Sequence, residues 1–175
     1  LNYFFMKLVI DVDNTIAEIH RPIVLEYGLH PKTRVTDYNF FFNYGSEKKF
    51  YKVYKKIWNE KTHKIRLTDK KIPHVLNELK KKGHAIVIAS NRGNGLEDTI
   101  TSLKRWLQHH NIPYDYLFIT NSHAVKFDLG DLLVDDNPEL VGINDNKLIL
   151  FDRHYNRKHD TILRIKRFKE LLDLI

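Results

Sequence analysis

The chain has 175 residues, 42% of them hydrophobic, which is about one domain with enough apolar side chains for a proper core. It contains no cysteine, which excludes disulfides, thiolate metal sites and a cysteine nucleophile, and is compatible with a reducing cytoplasm. A net charge of +7 and a pI near 9.4 point to an anionic partner, and a phosphorylated small molecule satisfies them as readily as a nucleic acid does.

Leu1–Phe5 is apolar but lacks the basic and small-residue parts of a signal peptide. Met6 reads as the natural start, the residues before it being foreign to the protein. Lys7–Ile10 then forms a short apolar run that ends in Asp11-Val12-Asp13-Asn14-Thr15. Similar runs recur at His84–Ala89, Tyr116–Thr120, Leu132–Val134 and Leu148–Phe151. Each reads as a strand, and their lack of polar alternation predicts burial on both faces, the habit of a parallel sheet between helices. None approaches the roughly 20 residues needed to cross a bilayer, so no membrane partner is expected.

His20–Leu67 is too long for an ordinary βα loop. It holds Pro22, Pro31, an aromatic cluster (Tyr38, Phe40, Phe41, Phe42, Tyr44) and a helix predicted from Ser46, its N-cap, to about Asn59. It reads as a small, mostly helical cap spanning 20–67, inserted into a core made of 6–19 and 68–175. Helical spacing follows over Thr68–Lys82, with Gly83 as its stop, and over Leu96–His110, with Pro113 beyond it. Asp160–Leu174 is predicted as a closing helix with Ile162, Ile165, Phe168 and Leu172 on one face. Strands alternating with helices imply an α/β, doubly wound, Rossmann-like parallel sheet.

Ligands of such sheets bind beyond the carboxyl ends of the strands. Those ends carry Asp11 and Asp13, Ser90-Asn91-Arg92, and Asp135-Asp136, with Lys126 just before the fourth strand. Carboxylates gathered so closely repel and resist desolvation unless a cation neutralises them, which calls for a divalent metal. Magnesium, with its preference for oxygen ligands and substrate phosphate, is the natural candidate. The ten histidines show no helical His-x-x-x-His pair beside a carboxylate, so zinc is not expected.

With these motifs in order, the chain resembles the haloacid dehalogenase-like phosphatases from Met6 to Ile175. That family has Asp-x-Asp-x-Thr/Val after strand one, a Ser or Thr after strand two, a Lys, and an acidic pair after strand four. The resemblance implies about five core strands in the order 5-4-1-2-3, with a cap inserted after strand one. It implies that Asp11 attacks phosphorus to form an aspartyl-phosphate, while Asp13 protonates the leaving oxygen and later deprotonates water. Thr15 would orient Asp13 or its turn and, with Ser90, Asn91 and Arg92, belong to the phosphate-binding set. Lys126 would neutralise both phosphate and Asp11. Asp11, the carbonyl of Asp13 and Asp136 would ligate Mg2+, with Asp135 as a further ligand or support.

Within that superfamily the chain is similar to the 5'(3')-deoxyribonucleotidase, or type C 5'-nucleotidase, group. Asp11–Glu18, the aromatic stretch Thr36–Phe42, and Phe151-Asp152-Arg153-His154-Tyr155-Asn156 carry that likeness. A nucleoside monophosphate is the implied substrate, with Tyr38, Phe41 and Phe42 as candidate base contacts, and the localisation would be cytoplasmic. The aromatic cluster serves equally well as the cap's own core. Alternatives are a sugar or polyol phosphate and, less favoured, a 3'-phosphate on a nucleic acid.

Overall fold

The structure is a computed structural model that describes residues 5–175. The reading of Leu1–Phe5 as preceding the natural start therefore falls almost wholly outside the described residues. In chain order the strands are β1 Lys7–Asp11, β2 Ala17–Glu18, β3 Arg66–Leu67, β4 Ala85–Ser90, β5 Tyr116–Ile119, β6 Leu132–Asp135, β7 Leu148–Phe151 and β8 Leu163–Ile165. The α-helices are α1 His20–Glu26, α2 Glu47–Glu60, α3 Ile72–Lys81, α4 Ile100–His109 and α5 Leu171–Leu174.

Six strands form one parallel sheet in the order β5-β4-β1-β6-β7-β8. The five expected strands keep their expected order, and β8 adds a sixth at the edge. β4 is buried at every position, Ala85 to Ser90, as its unbroken apolar run requires. The pleat divides the apolar side chains between two cores. Leu8, Ile10, Ile86 and Ile88 join the larger, with α3, α4 and the aromatic residues before and within α2. Val9, Val87, Ala89 and Leu133 join the smaller, which is covered by Phe127 and Leu140 from 3-10 turns rather than by α-helices.

Two expectations need correction. The closing helix over Asp160–Leu174 does not form as one element: Leu163–Ile165 is β8, paired with β7 through Ile149↔Leu163 and Phe151↔Ile165, and helical structure is confined to a 3-10 turn at Phe168–Glu170 and α5. The open edge of β7 offers main-chain partners, and Arg164 donates to Asn156 Oδ1 (2.8 Å) and to the His159 carbonyl (2.7 Å), holding the segment extended. Tertiary pairing overrides a periodicity of three that suits a helix equally well. The strand at Tyr116 is also not buried throughout: β5 is an edge strand and leaves Tyr116 and Phe118 exposed.

The segment between β2 and β3 holds α1, a 3-10 turn at Phe40–Tyr44, and α2. Ser46 caps α2 by accepting from the Lys49 amide (3.2 Å). β2 and β3 pair antiparallel at its two ends, Ala17 opposite Leu67 and Glu18 opposite Arg66, so the chain leaves and rejoins the sheet at one place. Thr68 strengthens that place, its hydroxyl donating to the Thr15 carbonyl at 2.6 Å. Glu26 accepts from Lys56 and Lys61, tying α1 to α2.

Candidate active site

β1 ends at Asp11, and the chain then turns sharply. The amides of Ile16 and Ala17 both donate to the Val12 carbonyl, and Asn14 takes φ +61°, a left-handed conformation that asparagine tolerates better than most residues. The Asn14 side chain is held by His20: its amide donates to Nε2 (2.9 Å), and its Oδ1 accepts from the His20 main chain (3.2 Å). Burial, reinforced by the charge of Arg153, pushes the His20 imidazole down to about 3, so at neutral pH it is the neutral acceptor this bond needs.

Beside Asp11, β6 ends in Asp135 and Asp136. Carboxylate oxygens of these three buried residues lie within 4.8 Å of one another. Lys126, with no exposed surface, reaches between them: Nζ is 2.5 Å from Asp11 Oδ1 and 2.8 Å from Asp135 Oδ2. Asp136 has only neutral donors, Thr15 Oγ1 at 2.8 Å and the Tyr155 hydroxyl. The electrostatics follow from this division. Burial first and the charge of Asp135 second raise Asp136 to about 7, against its two hydrogen bonds. Burial, then Asp135, hold Asp11 well above the usual carboxylate range although Lys126 opposes them. Burial works against the charge on Lys126, but Asp11 and Asp135 outweigh it and hold the ammonium above its ordinary value.

Asp13 stands apart from the three. Its carboxylate accepts from Tyr54 Oη (2.8 Å), Trp58 Nε1 (3.1 Å) and Arg92 Nη2 (3.1 and 3.3 Å). Ser90 ends β4 fully buried, its Oγ accepting from Arg92 Nε at 2.9 Å, and Asn91 faces the cavity. Arg92, expected in the phosphate-binding set, is fully buried and turned onto Asp13, Ser90 and Thr99. Thr15 contacts Asp136 rather than Asp13.

Asp11, Asp13, Asp135 and Asp136 open into a cavity of about 300 Å³, with Tyr38, Phe41, Phe42 and Asn91 on its walls. Phe40 and Phe41 are buried and so serve the packing of the segment between β2 and β3, while Phe42 is 43% exposed. Phe50, Tyr51 and Tyr54 of α2 complete that wall, and His123 faces the acids. Sequence reasoning missed these residues and Trp58. The signal that could have found Phe50, Tyr54 and Trp58 is their spacing of four, which sets them on one face of α2.

A family model described as 5' nucleotidase, deoxy (pyrimidine), cytosolic type C, matches residues 37–175. The chain belongs to the type C nucleotidase family. The matched span holds Ser90, Lys126, Asp135 and Asp136, and Asp11 and Thr15 join it through their bonds to Lys126 and Asp136. As a type C nucleotidase the protein is a phosphoric monoester hydrolase on the haloacid dehalogenase-like fold. No curated protein matches the chain. Among the described residues, no helix is long and apolar enough to cross a membrane.

Proposed function

We propose that the protein hydrolyses nucleoside monophosphates in the cytoplasm through an aspartyl-phosphate on Asp11, with Mg2+ as cofactor. The observation that carries the reading is Lys126 shared between Asp11 and Asp135 at the open end of the sheet. Four carboxylates and two contacting cations, Lys126 and Arg92, leave two negative charges when all are ionised, which is what a divalent metal neutralises. Asp136 has no cation bonded to it and Lys126 neutralises Asp135, so Asp11, Asp136 and the Asp13 carbonyl are assigned as ligands, Asp135 supporting Lys126. Bound there, magnesium would neutralise the acids and accept an oxygen of the phosphate.

In the first displacement an Asp11 oxygen forms a bond to phosphorus as the bond to the leaving oxygen breaks, and Asp13 passes a proton to that oxygen. In the second, water attacks the aspartyl-phosphate, Asp13 takes the water's proton, and the bond from Asp11 to phosphorus breaks. Lys126 follows the negative charge between Asp11 and phosphate, while Ser90 and the Asn91 amide hold phosphate oxygens. The segment 20–67 acts as the cap over a core of 6–19 and 68–175, offering Tyr38, Phe41 and Phe42 to the base.

A panel of nucleoside and deoxynucleoside monophosphates, sugar phosphates and a 3'-phosphorylated oligonucleotide, each with magnesium, tests this. Phosphate release from nucleotides is expected to lead the panel. Brisk turnover of sugar phosphates with none from any nucleotide rejects the substrate assignment.

A further inference from the structure

The proton-transfer group is not held by its own strand. Asp13 lies on the turn after β1, two residues beyond Asp11, and 25% of its side chain is exposed. Its carboxylate is gripped from behind by three side chains that are themselves buried: Trp58 and Arg92 fully, and Tyr54 to 6% exposure. Tyr54 and Trp58 are one turn apart on α2, and each takes a different oxygen, Oδ2 for the phenol and Oδ1 for the indole. Arg92 spans both oxygens from Nη2, its other nitrogens being fixed on Ser90 Oγ and Thr99 Oγ1. Its guanidinium carbon lies 4.0 Å from the centre of the Trp58 ring, a cation–π contact that orients both groups. Trp58 in turn meets Trp106 of α4 edge to face at 6.0 Å, and Trp106 Nε1 donates to the Ile65 carbonyl at 3.0 Å.

We propose that Tyr54 and Trp58 are positioning residues for Asp13, forming with Arg92 a cradle that couples the seating of α2 over the sheet to proton transfer. The inference deepens the reading above and rests on Asp13 being the general acid/base. A carboxylate offers about four acceptor positions, and these donors orient it so that its exposed side faces the cavity. A proton taken on either oxygen displaces one contact, and those of Nη2 are the longest. Withdrawing α2 removes two of the three donors at once, so proton transfer is competent only with α2 docked. Trp58 does not line the cavity, so an effect of its substitution cannot come from lost contact with substrate.

The test compares kcat/KM, which covers only the first displacement because hydrolysis of the aspartyl-phosphate is common to all substrates, on the best aliphatic phosphate of the panel, a nucleoside monophosphate if the reading above holds, with kcat/KM on p-nitrophenyl phosphate. The nitrophenolate leaves with little need of a proton. Tyr54→Phe and Trp58→Phe are each expected to lower the ratio of the two kcat/KM values about ten-fold, with the Kd of the aliphatic substrate, read on the Asp11→Asn background, held within about two-fold. A purely structural role lowers both kcat/KM values together, and a substrate-binding role raises that Kd. If neither variant lowers the ratio, the cradle is overturned; should Trp58→Phe not fold, Tyr54→Phe decides alone. Asp13→Asn separates the two levels. Collapse of its ratio with Tyr54→Phe and Trp58→Phe normal removes only the cradle, whereas a normal ratio in Asp13→Asn removes the acid/base role and the cradle with it.

Discussion

Lys126 donates to Asp11 across 115 residues of chain, Nζ to Oδ1 at 2.5 Å, from a side chain with no exposed surface. Burying a lysine costs several kcal/mol unless it is paired, and here the pairing joins the end of β1 to the 3-10 turn before β6. Lys126→Met would leave Asp11 and Asp135 buried without their shared cation. Turnover is expected to be lost, and stability in EDTA to fall by about 3 kcal/mol, measured by denaturant unfolding. Wild-type stability in this variant would mean that the acids are neutralised by other means.

Asp11→Asn keeps the shape of the side chain and an oxygen for Lys126 while removing the proposed nucleophile. Phosphate release is expected to disappear, with the thermal transition within a few degrees of wild type. Near-normal turnover would exclude the aspartyl-phosphate route.

Tyr155 donates to Asp136 from the turn after β7, and Thr15 donates to the other oxygen. Tyr155→Phe removes one of these supports without opening space. The magnesium concentration for half-maximal activity is expected to rise about ten-fold, while activity returns at saturating metal. An unchanged magnesium requirement would show that the Tyr155 bond does not tune a metal held by Asp136. EDTA should abolish activity in wild type, and magnesium alone should restore it.

Glu26 gives a pH dependence remote from the chemistry. Hydrogen bonds from Lys56 and Lys61 hold its carboxyl down to about 2, from an ordinary 4.5. The folded protein binds this proton less readily than the unfolded chain. The stabilisation is therefore complete above pH 4.5 and is lost as pH falls through the window to about 2. Glu26→Gln is expected to melt below wild type at pH 7, the gap closing as the pH is lowered across that window. A gap that does not vary with pH would assign the effect to packing between α1 and α2 instead.

The strand-end chemistry is legible in the amino-acid order because it is local. Apolar runs declare β1, β4, β6 and β7, and the residues that follow them must meet at one edge of a parallel sheet, which brings Asp11, Asp135 and Asp136 together. The N-cap of α2 at Ser46 and the end of α3 at Gly83, with φ +97°, are likewise set by residues adjacent to them. Partners distant in sequence are not legible in this way. Ile162, Ile165 and Phe168 suit a helix by spacing alone, and only the unpaired edge of β7 makes Leu163–Ile165 a strand.

The direction of Arg92 was decided by the fold in the same manner. A loop arginine just after the end of a strand has substrate or a neighbouring acid as its obvious partner, but the packing of α2 buries it against Trp58 and turns it onto Asp13. The sequence by itself determined at which strand ends Asp11, Ser90, Asp135 and Asp136 stand, because apolar runs and parallel topology set those ends side by side. Only the tertiary structure decided how Asp13 is held, because Tyr54, Trp58 and Arg92 are far from it in the chain: the docking of α2 brings the first two within hydrogen-bond distance, and the pairing of β1 with β4 brings the third.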